Sequence, residues 1–445
     1  MPRYHRPDSP ISSQWPASAA YQENGLNHQS VPQISISWND FFSDPRLHQL
    51  IALSLKNNRD LRVSTLNVEL ERAEYHIGLA AIFPTIDASG NGLRQKEIVT
   101  GNQATKTGLY SLTLGVSSYE VDLFGRLRSL KEQALQTYFA TIEARRSAQI
   151  SLVAQVATQY LTERELAELL METKATLKSS QSNYQLIKAS YDVGNDSLAD
   201  LRSAEIQMQT ARANLFNYQR QHDQAINDLV LLIGEPLPAN LPSPQPFNSE
   251  KILTDIPAGL PSDLIERRPD ILEAEDQLKA ANANIGAARA AFFPKILLTS
   301  SGGIASAKLT DLFTGPSVWS FGPEITMPIF DGGNNRANLD YAKISKSIQI
   351  AQYEKAIQTA FKEVADALTA RANDDGQVEA QEALIKSEQG LYELAEIRYR
   401  NGIDSYLEVL TAEEDLYSAQ QVLVQVQFAR LSNLITLYQA LGGDW

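Results

Sequence analysis

The sequence predicts a mixed α and β protein with an internal two-fold repeat, in which long helical hairpins carry β-hairpins too few to close on themselves. Two observations predict it. A segment near the middle, Tyr184–Ala211, returns about 208 residues later as Tyr392–Ala419. Tyr191 matches Tyr399, Gly194 matches Gly402, Ser197 matches Ser405, Ala204-Glu205 match Ala412-Glu413, and Gly234 matches Gly442. Each copy also couples a very long helical pattern to a shorter stretch of period-two alternation. Two copies are not a solenoid, which needs three or more stacked units; they make a pseudo-symmetric molecule.

The repeat divides the 445 residues into an extended arm over 1–34, a first repeat over 35–234, a Pro-rich linker over 235–261 and a second repeat over 262–445. The arm is rich in Pro, Ser, Asn and Gln and reads as unpacked chain. From Asp44 to about Ile82 the pattern is helical and stops at Phe83-Pro84. Thr107–Leu123 then alternates Tyr110, Leu112, Leu114 and Val116 against Ser111, Thr113, Gly115 and Ser117, as a strand between two environments must. Thr85–Leu93 is its expected partner, with Gln95–Lys106 as a polar loop. From Arg126 to about Tyr191 there is neither Pro nor Gly. A continuous helix there would be about 98 Å long, with Ile150, Val153, Ala157 and Tyr160 at coiled-coil spacing.

A second helix returns from the Gly194 turn to Ile233, and the linker EPLPANLPSPQP (Glu235–Pro246) follows. The order then repeats: helix (Asp270–Ala291), a stop at Phe293-Pro294, strands (Lys295–Ala305 and Ser317–Ile329), long helix (Asn334–Asn401), turn, helix (Ser405–Leu441). The second strand pair sets Trp319, Phe321, Ile325, Met327 and Ile329 against Ser320, Gly322, Glu324 and Thr326, with a short polar loop over Ser306–Gly315.

Composition excludes several classes. Net charge is −14, from 39 basic and 53 acidic residues, which leaves nothing to neutralise the phosphates of a nucleic acid. With no cysteine there is no disulfide framework, zinc-thiolate site or thiol nucleophile. No run approaches the 18 apolar residues of a transmembrane helix, and MPRYHRPDSP has no apolar core of a signal peptide. A membrane β-barrel is compatible with this, because its signal is weak and alternating. The five histidines are scattered, and no HExxH, GxSxG or P-loop occurs, so no enzyme, cofactor or metal site is expected.

Four strands per chain cannot close a barrel, which needs about eight, and an open amphipathic sheet exposes its edges. Two copies would give eight strands and a filled interior; three give twelve and a lumen. A homo-oligomeric channel follows, with the trimer the favoured closed symmetry. The alternative from patterning alone is a soluble coiled-coil protein with a small sandwich at one end.

Leu264-Ile-Glu-Arg-Arg-Pro-Asp-Ile271, Ala274-Glu275 and Ala280–Pro294 (AANANIGAARAAFFP) resemble the signature of the TolC-type outer-membrane efflux proteins. Asp331-Gly332-Gly333 after Pro328-Ile-Phe330, its weaker counterpart Val121–Arg126, and Arg398–Leu410 fit the same pattern. Tyr4, Arg6-Pro7 and Pro10 are similar to the start of mature chains in the OprM/NodT-like lipoprotein branch. The resemblance implies a homotrimer with a 12-stranded barrel in the outer membrane of a Gram-negative bacterium and a long α-helical barrel in the periplasm. Outer-membrane lipid, a periplasmic adaptor and an inner-membrane transporter, commonly a proton antiporter of the RND type, are the implied partners. Members of this branch are usually acylated on an N-terminal cysteine, a residue these 445 positions lack. A duct for type I protein secretion is the alternative, since both use this architecture.

The resemblance also implies a gate at the hairpin tips. Val193, Gly194 and Asn195 in one turn, and Gly402, Ile403 and Asp404 in the other, would dock the adaptor. Glu408 falls where similar proteins line the periplasmic constriction with an acid, and Leu407 at an apolar gate position. Thr411 stands where relatives often carry Asp, so the strength of a cation block does not carry over. Arg398 and Tyr399 match positions that hold the gate shut by contacting an acid on the neighbouring hairpin, which alignment assigns to Asp200. Some relatives carry Arg at the site of Asp404, so no link through that residue is expected. Trp319 and Phe321 belong either to a membrane-facing aromatic belt or to packing under the barrel, and Leu123-Phe124-Gly125 and Ile329-Phe330-Asp331 to barrel-to-helix transitions.

Overall fold

The computed structural model describes residues 2–12, 37–99, 103–244, 247 and 267–443; most of the arm, much of the linker and the first three residues of the LIERRPDI segment lie outside them. The chain forms α1 (Trp38–Phe41), α2 (Pro45–Asn57), α3 (Arg59–Ala80), β1 (Ile86–Val99), β2 (Gln103–Glu120), α4 (Arg126–Asp192) and α5 (Leu198–Ile233). The series then repeats as α6 (Pro269–Ala290), β3 (Lys295–Ser306), β4 (Ser317–Thr326), α7 (Asn334–Arg400) and α8 (Tyr406–Ala440). Contacts gather into two compact units, one of Met1–Asp8, Leu66–Glu143 and Leu272–Lys355, the other of Ser9–Thr65, Ala144–Ile271 and Ala356–Trp445.

The first unit holds an antiparallel sheet of order β1-β2-β3-β4. Directly paired residues share a face, and over the middle of the sheet the register sorts most of them by polarity. Ala88 lies opposite Leu114, Leu114 opposite Gly302, and Gly302 opposite Trp319. Ile86, Val116, Phe321 and Ile325 extend this apolar face. The other face carries Asp87, Ser111, Thr113, Ser117, Thr299, Ser301, Ser320 and Glu324. Its hydroxyls bond within it: Ser117 Oγ donates to Asp87 at 2.8 Å, and the hydroxyls of Ser301 and Ser320 are 2.8 Å apart. Trp319 is 83% exposed, so within this chain it packs under nothing.

The hairpin of β1 and β2 is longer than its alternation predicts. Gln95–Lys106 was expected to be a loop, yet Gln95 pairs with Thr107 and Glu97 with Thr105. A ladder needs only backbone partners, and strand extending beyond an apolar band needs no apolar face, so period two disappears while pairing continues. A bulge between Val116 and Tyr119, with Ser118 at φ 63°, kinks β2 near its end. The Ser306–Gly315 connection contains a 3₁₀ turn (Leu309–Thr314) that buries Leu312.

The start of the chain is fastened to this unit rather than loose. Arg6 grips Glu275 of α6 with two hydrogen bonds of 2.9 and 2.7 Å, and Tyr4 donates to the same carboxylate at 3.0 Å. Asn282 donates to the Pro2 carbonyl, and Lys279 lies 5.9 Å over the Tyr4 ring. Glu275 is 3% exposed, and the Arg6 guanidinium helps hold its carboxyl below the usual range despite burial.

The second unit is helical. The segment expected as one helix from Asp44 to Ile82 is two, parted at Asn58, whose side chain accepts from Leu61 N–H and so starts α3. Asp44 caps α2 through Arg46 N–H and takes the buried Tyr160 hydroxyl at 2.6 Å. Val153, Val156, Ala157, Tyr160 and Leu161 form the buried stripe of α4, and Phe41 stacks on Tyr438 with centroids 4.6 Å apart. At 67 residues each, α4 and α7 are about 100 Å long. Among the described residues no helix is long and apolar enough to cross a membrane.

The ends of the returning helices repeat by position but not by chemistry. The Leu232 carbonyl accepts from Ser54 Oγ and Asn58 Nδ2, each at 2.8 Å. Its counterpart 208 residues later, the Ala440 carbonyl, accepts from Arg268 Nη1 at 2.9 Å. Arg268 is 7% exposed and also pairs with Asp270 and Glu363. Since these partners are half-exposed, Arg268→Ala is expected to destabilise the protein by about 2–3 kcal/mol. A lowered melting midpoint of detergent-extracted protein checks this, and an unchanged midpoint contradicts it.

Candidate functional site

The two helical hairpins of the second unit, α4–α5 and α7–α8, end in turns built alike. Gly194 N–H donates to the Tyr191 carbonyl at 2.9 Å and Asn195 N–H to the Ser190 carbonyl at 3.0 Å. In the second turn Gly402 N–H donates to Tyr399 at 2.8 Å and Ile403 N–H to Arg398 at 2.9 Å, the same bonds 208 residues on. Both close a helix through a residue in the left-handed region, Gly194 at φ 82° and Gly402 at φ 69°, where glycine escapes the Cβ clash. Ser197 and Ser405 then start the returning helices.

The side chains on this shared backbone differ. Asp200 sits in a capping box: Ser197 Oγ accepts from Asp200 N–H at 3.1 Å, and the Asp200 carboxylate accepts from Ser197 N–H at 3.0 Å and from its hydroxyl. It is therefore not the acceptor that alignment assigns to Tyr399. Tyr399 donates instead to Asp196 Oδ2 at 3.0 Å, on the turn of the other hairpin. Arg398 does not reach Asp200 either. It closes on Asp404 of its own turn with two bonds, one of them 2.9 Å from Nη2 to Oδ1. Asp404 thus pairs within its own turn, with the acid on the turn and the base on the helix, rather than linking the two hairpins.

Burial, the hydrogen bond to Asp196 and the charges of Asp196 and Asp200 push the Tyr399 hydroxyl up to about 12. The Arg398 guanidinium holds the Asp404 carboxyl below its usual range. Behind these contacts the hairpins share a small core of Ile187, Ala204, Ala395, Tyr406, Val409, Leu410 and Ala412, flanked by Tyr184, Leu201, Tyr392 and Tyr399. The Tyr399 and Tyr406 rings lie 5.3 Å apart.

Leu407, Glu408 and Thr411 line one exposed face of α8. Glu408 N–H donates to the Ser405 carbonyl in the first turn of α8, and Thr411 Oγ1 donates to the Leu407 carbonyl of its own helix at 3.0 Å. Glu414 and Asp415 continue this face. Val193 and Ile403 are 72% and 61% exposed at the turn apices, beside Gly194, Asn195 and Gly402, while Asp404 is half-buried.

Two positions of the tip contacts escaped the sequence reading. Asp196 is one; the signal was available, because Asp196 and Asp404 occupy the same place before the capping serine in both copies. Glu413, 6% exposed in the tip core, is the other, and nothing in the sequence separates it from the carboxylates on helix surfaces. Among the described residues, no group of His, Cys, Asp and Glu could hold a metal.

The outer membrane efflux protein family model matches residues 50–235 and 260–443. The chain is 47% identical over 449 residues to the toluene efflux pump outer membrane protein TtgC of Pseudomonas putida, covering 100% of this chain and 92% of the relative. It is 41% identical over 448 residues to the outer membrane protein OprJ of Pseudomonas aeruginosa, with the same coverage. The open state of the MtrE outer membrane channel of Neisseria gonorrhoeae superposes with a TM-score of 0.89 at 39% identity, over 100% of this chain and 98% of that one.

Because Asp200 serves the cap, Asp200→Ala is expected to cost about 1 kcal/mol locally, speeding amide exchange in the first turn of α5. The Tyr399–Asp196 contact should survive. Unaltered exchange across residues 198–201 would remove the cap assignment.

Proposed function

The chain belongs to the outer membrane efflux protein family, and on that premise we propose that it is the exit duct of a tripartite pump for small toxic compounds, held shut at its periplasmic end by the hairpin tips. It is a channel of the Gram-negative outer membrane with a periplasmic helical extension, not an enzyme. Three subunits contribute four strands each to a twelve-stranded barrel joined to an α-helical barrel. The apolar face of the sheet, with Trp319 and Phe321, turns to lipid, and the hydroxyl-rich face turns to the lumen.

The gate reading rests on one observation, that Tyr399 of one hairpin binds Asp196 of the other while Arg398 and Asp404 stiffen the turn beside it. A charge-assisted bond of this kind contributes about 1.5–3 kcal/mol when dry and less when wet. Three copies bias the tips toward closure by several kcal/mol, and partner binding must repay that bias to open them. Val193, Gly194, Asn195, Gly402, Ile403 and Asp404 present the surface for an adaptor, with Val193 and Ile403 as its apolar contacts. Leu407, Glu408 and Thr411 line the constriction, where three copies of Glu408 favour cations. The inner-membrane transporter is of the RND proton-antiport type. Relatives named for pumping toluene, solvents and antibiotics support small molecules over secreted proteins as cargo.

In planar bilayers, Asp196→Ala, and Tyr399→Phe combined with Arg398→Ala, are expected to raise the open fraction more than about tenfold, since each 1.4 kcal/mol is a factor of ten. Asp200→Ala should leave it near wild type. Wild-type conductance in the first two variants refutes the gate.

A further inference from the structure

Glu413 is a buried carboxylate that the gate contacts do not use. It lies on α8 about two turns beyond Tyr406, facing α4, where Asn183 Nδ2 donates to its Oε2 at 3.2 Å and Ser179 also hydrogen-bonds to it. Its other oxygen is buried without a partner, and so is the Tyr406 hydroxyl in the same core. The groups that face it from the elements packed around it are Ser179 and Asn183 of α4, Tyr392 and Glu396 of α7, and Tyr406 of α8. From α5, Leu201 and Ala204 pack into the same core. No cation is among them, and Glu396 adds a like charge.

The duplication shows how this came about. The counterpart of Glu413 is Glu205, which Arg202 neutralises three residues earlier on α5. In the second copy the position of Arg202 is taken by Leu410, which is buried. The copy inside the seam between hairpins has thus lost its counter-ion.

We infer that Glu413 is a proton-sensitive latch: protonation favours α8 closed on α4, and ionisation drives the two apart. Burial raises its carboxyl above the ordinary value, with Glu396 reinforcing the shift and the bonds from Ser179 and Asn183 opposing it. The sign follows from linkage. The closed seam holds the proton more tightly than an open, hydrated one, so protonation stabilises closure. That stabilisation is complete below the ordinary carboxylate value of 4.5 and is lost as pH rises through the raised, closed-state value. Tyr392 and Tyr406 are also raised, so they stay neutral throughout. Acid therefore favours the shut duct, and rising pH weakens closure.

This inference rests on the tips being the gate, and one set of recordings separates the two. Open probability, rather than single-channel current, is measured in planar bilayers from about pH 4.5 to about 8 on wild type, Glu413→Gln, Glu205→Gln and Asp196→Ala. Wild type and Glu205→Gln are expected to open about three- to tenfold more at the upper end, a factor of ten corresponding to one unit of differential proton affinity. Glu413→Gln, neutral at every pH and still able to accept from Asn183, should stay at the low-pH level. A wild-type slope retained in Glu413→Gln, or no slope in wild type, overturns the latch. If Asp196→Ala nevertheless opens the channel, the gate itself stands; if it does not, the gate fails first. Should Glu413→Gln not assemble, wild type supplies a second readout: protection of amides 406–413, corrected for intrinsic exchange, must fall as pH rises, and constant protection overturns the latch.

Discussion

Within a bilayer the backbone has no water to bond, so each amide and carbonyl must find a partner in protein. The sheet of this chain meets that demand on three seams and leaves it open on two edges, those of β1 and β4. Neither edge is short: β1 has 14 residues and β4 has 10. Closure therefore falls to other subunits, and the rest of the architecture follows from that requirement. The sorting of side chains by face acquires its meaning here, because a closed wall has one side in lipid and one in water. Because the strands run directly into α4 and α7, a subunit that joins the barrel also commits its helices to the assembly.

Duplication gives the chain two like hairpins, and identical subunits supply the symmetry that such closure needs. Backbone bonds in the two tip turns agree residue for residue at an offset of 208, as do the carbonyls of Leu232 and Ala440 that receive side-chain caps. What diverges is charge. Ser190 became Arg398, Arg202 became Leu410, and Asp200 and Glu408 went to a cap and an exposed face respectively. With Arg398 beside it, Asp404 is occupied within its own turn, which leaves Asp196 as the acid to which a tyrosine of the other hairpin donates. A backbone shared by both copies thus presents two unlike surfaces, so that two hairpins can recognise each other rather than merely pack.

Most of the fold was legible because its signals are periodic. Both 67-residue helices begin where the pattern predicts and end within about a residue of it, since few residues interrupt them and Gly194 and Gly402 stop them. The β1–β2 ladder was less legible, because Gln95–Val99 pairs through backbone groups that leave no mark on side-chain alternation. At the site, residue type was legible and pairing was not. Tyr399 needs an acid on the other hairpin, and both Asp196 and Asp200 lie within one turn of the tip. The choice falls to Asp196 because Ser197 and Asp200 satisfy one another in a capping box, a Ser-x-x-Asp pattern present in the sequence. Glu413 was illegible for a different reason: burial between two hairpins belongs to tertiary packing, and in sequence it is one more carboxylate on a helix.

Under the gate proposed above, closure must rest on interactions weak enough for a partner to break, and the tip contacts are of that size. Arg398 is 44% exposed in its pair with Asp404, where solvent screens an ion pair to at most about 1 kcal/mol. The Tyr399–Asp196 bond is drier but still at the rim. Moving a two-state element from 99% closed to 99% open takes about 5.5 kcal/mol, which three copies of a contact worth 1–2 kcal/mol roughly supply. Burying these pairs fully would strengthen closure beyond what docking at a few turn residues could reverse. Exposing them further would leave nothing to hold the tips against their own net negative charge. The small core of alanines and tyrosines behind them fits the same logic, since it buries little area and can be parted without unfolding either hairpin. Farther along the helices, around Tyr160, Phe41 and Tyr438, the side chains are fully buried, so on the proposed gate the tips would part while that packing stays intact.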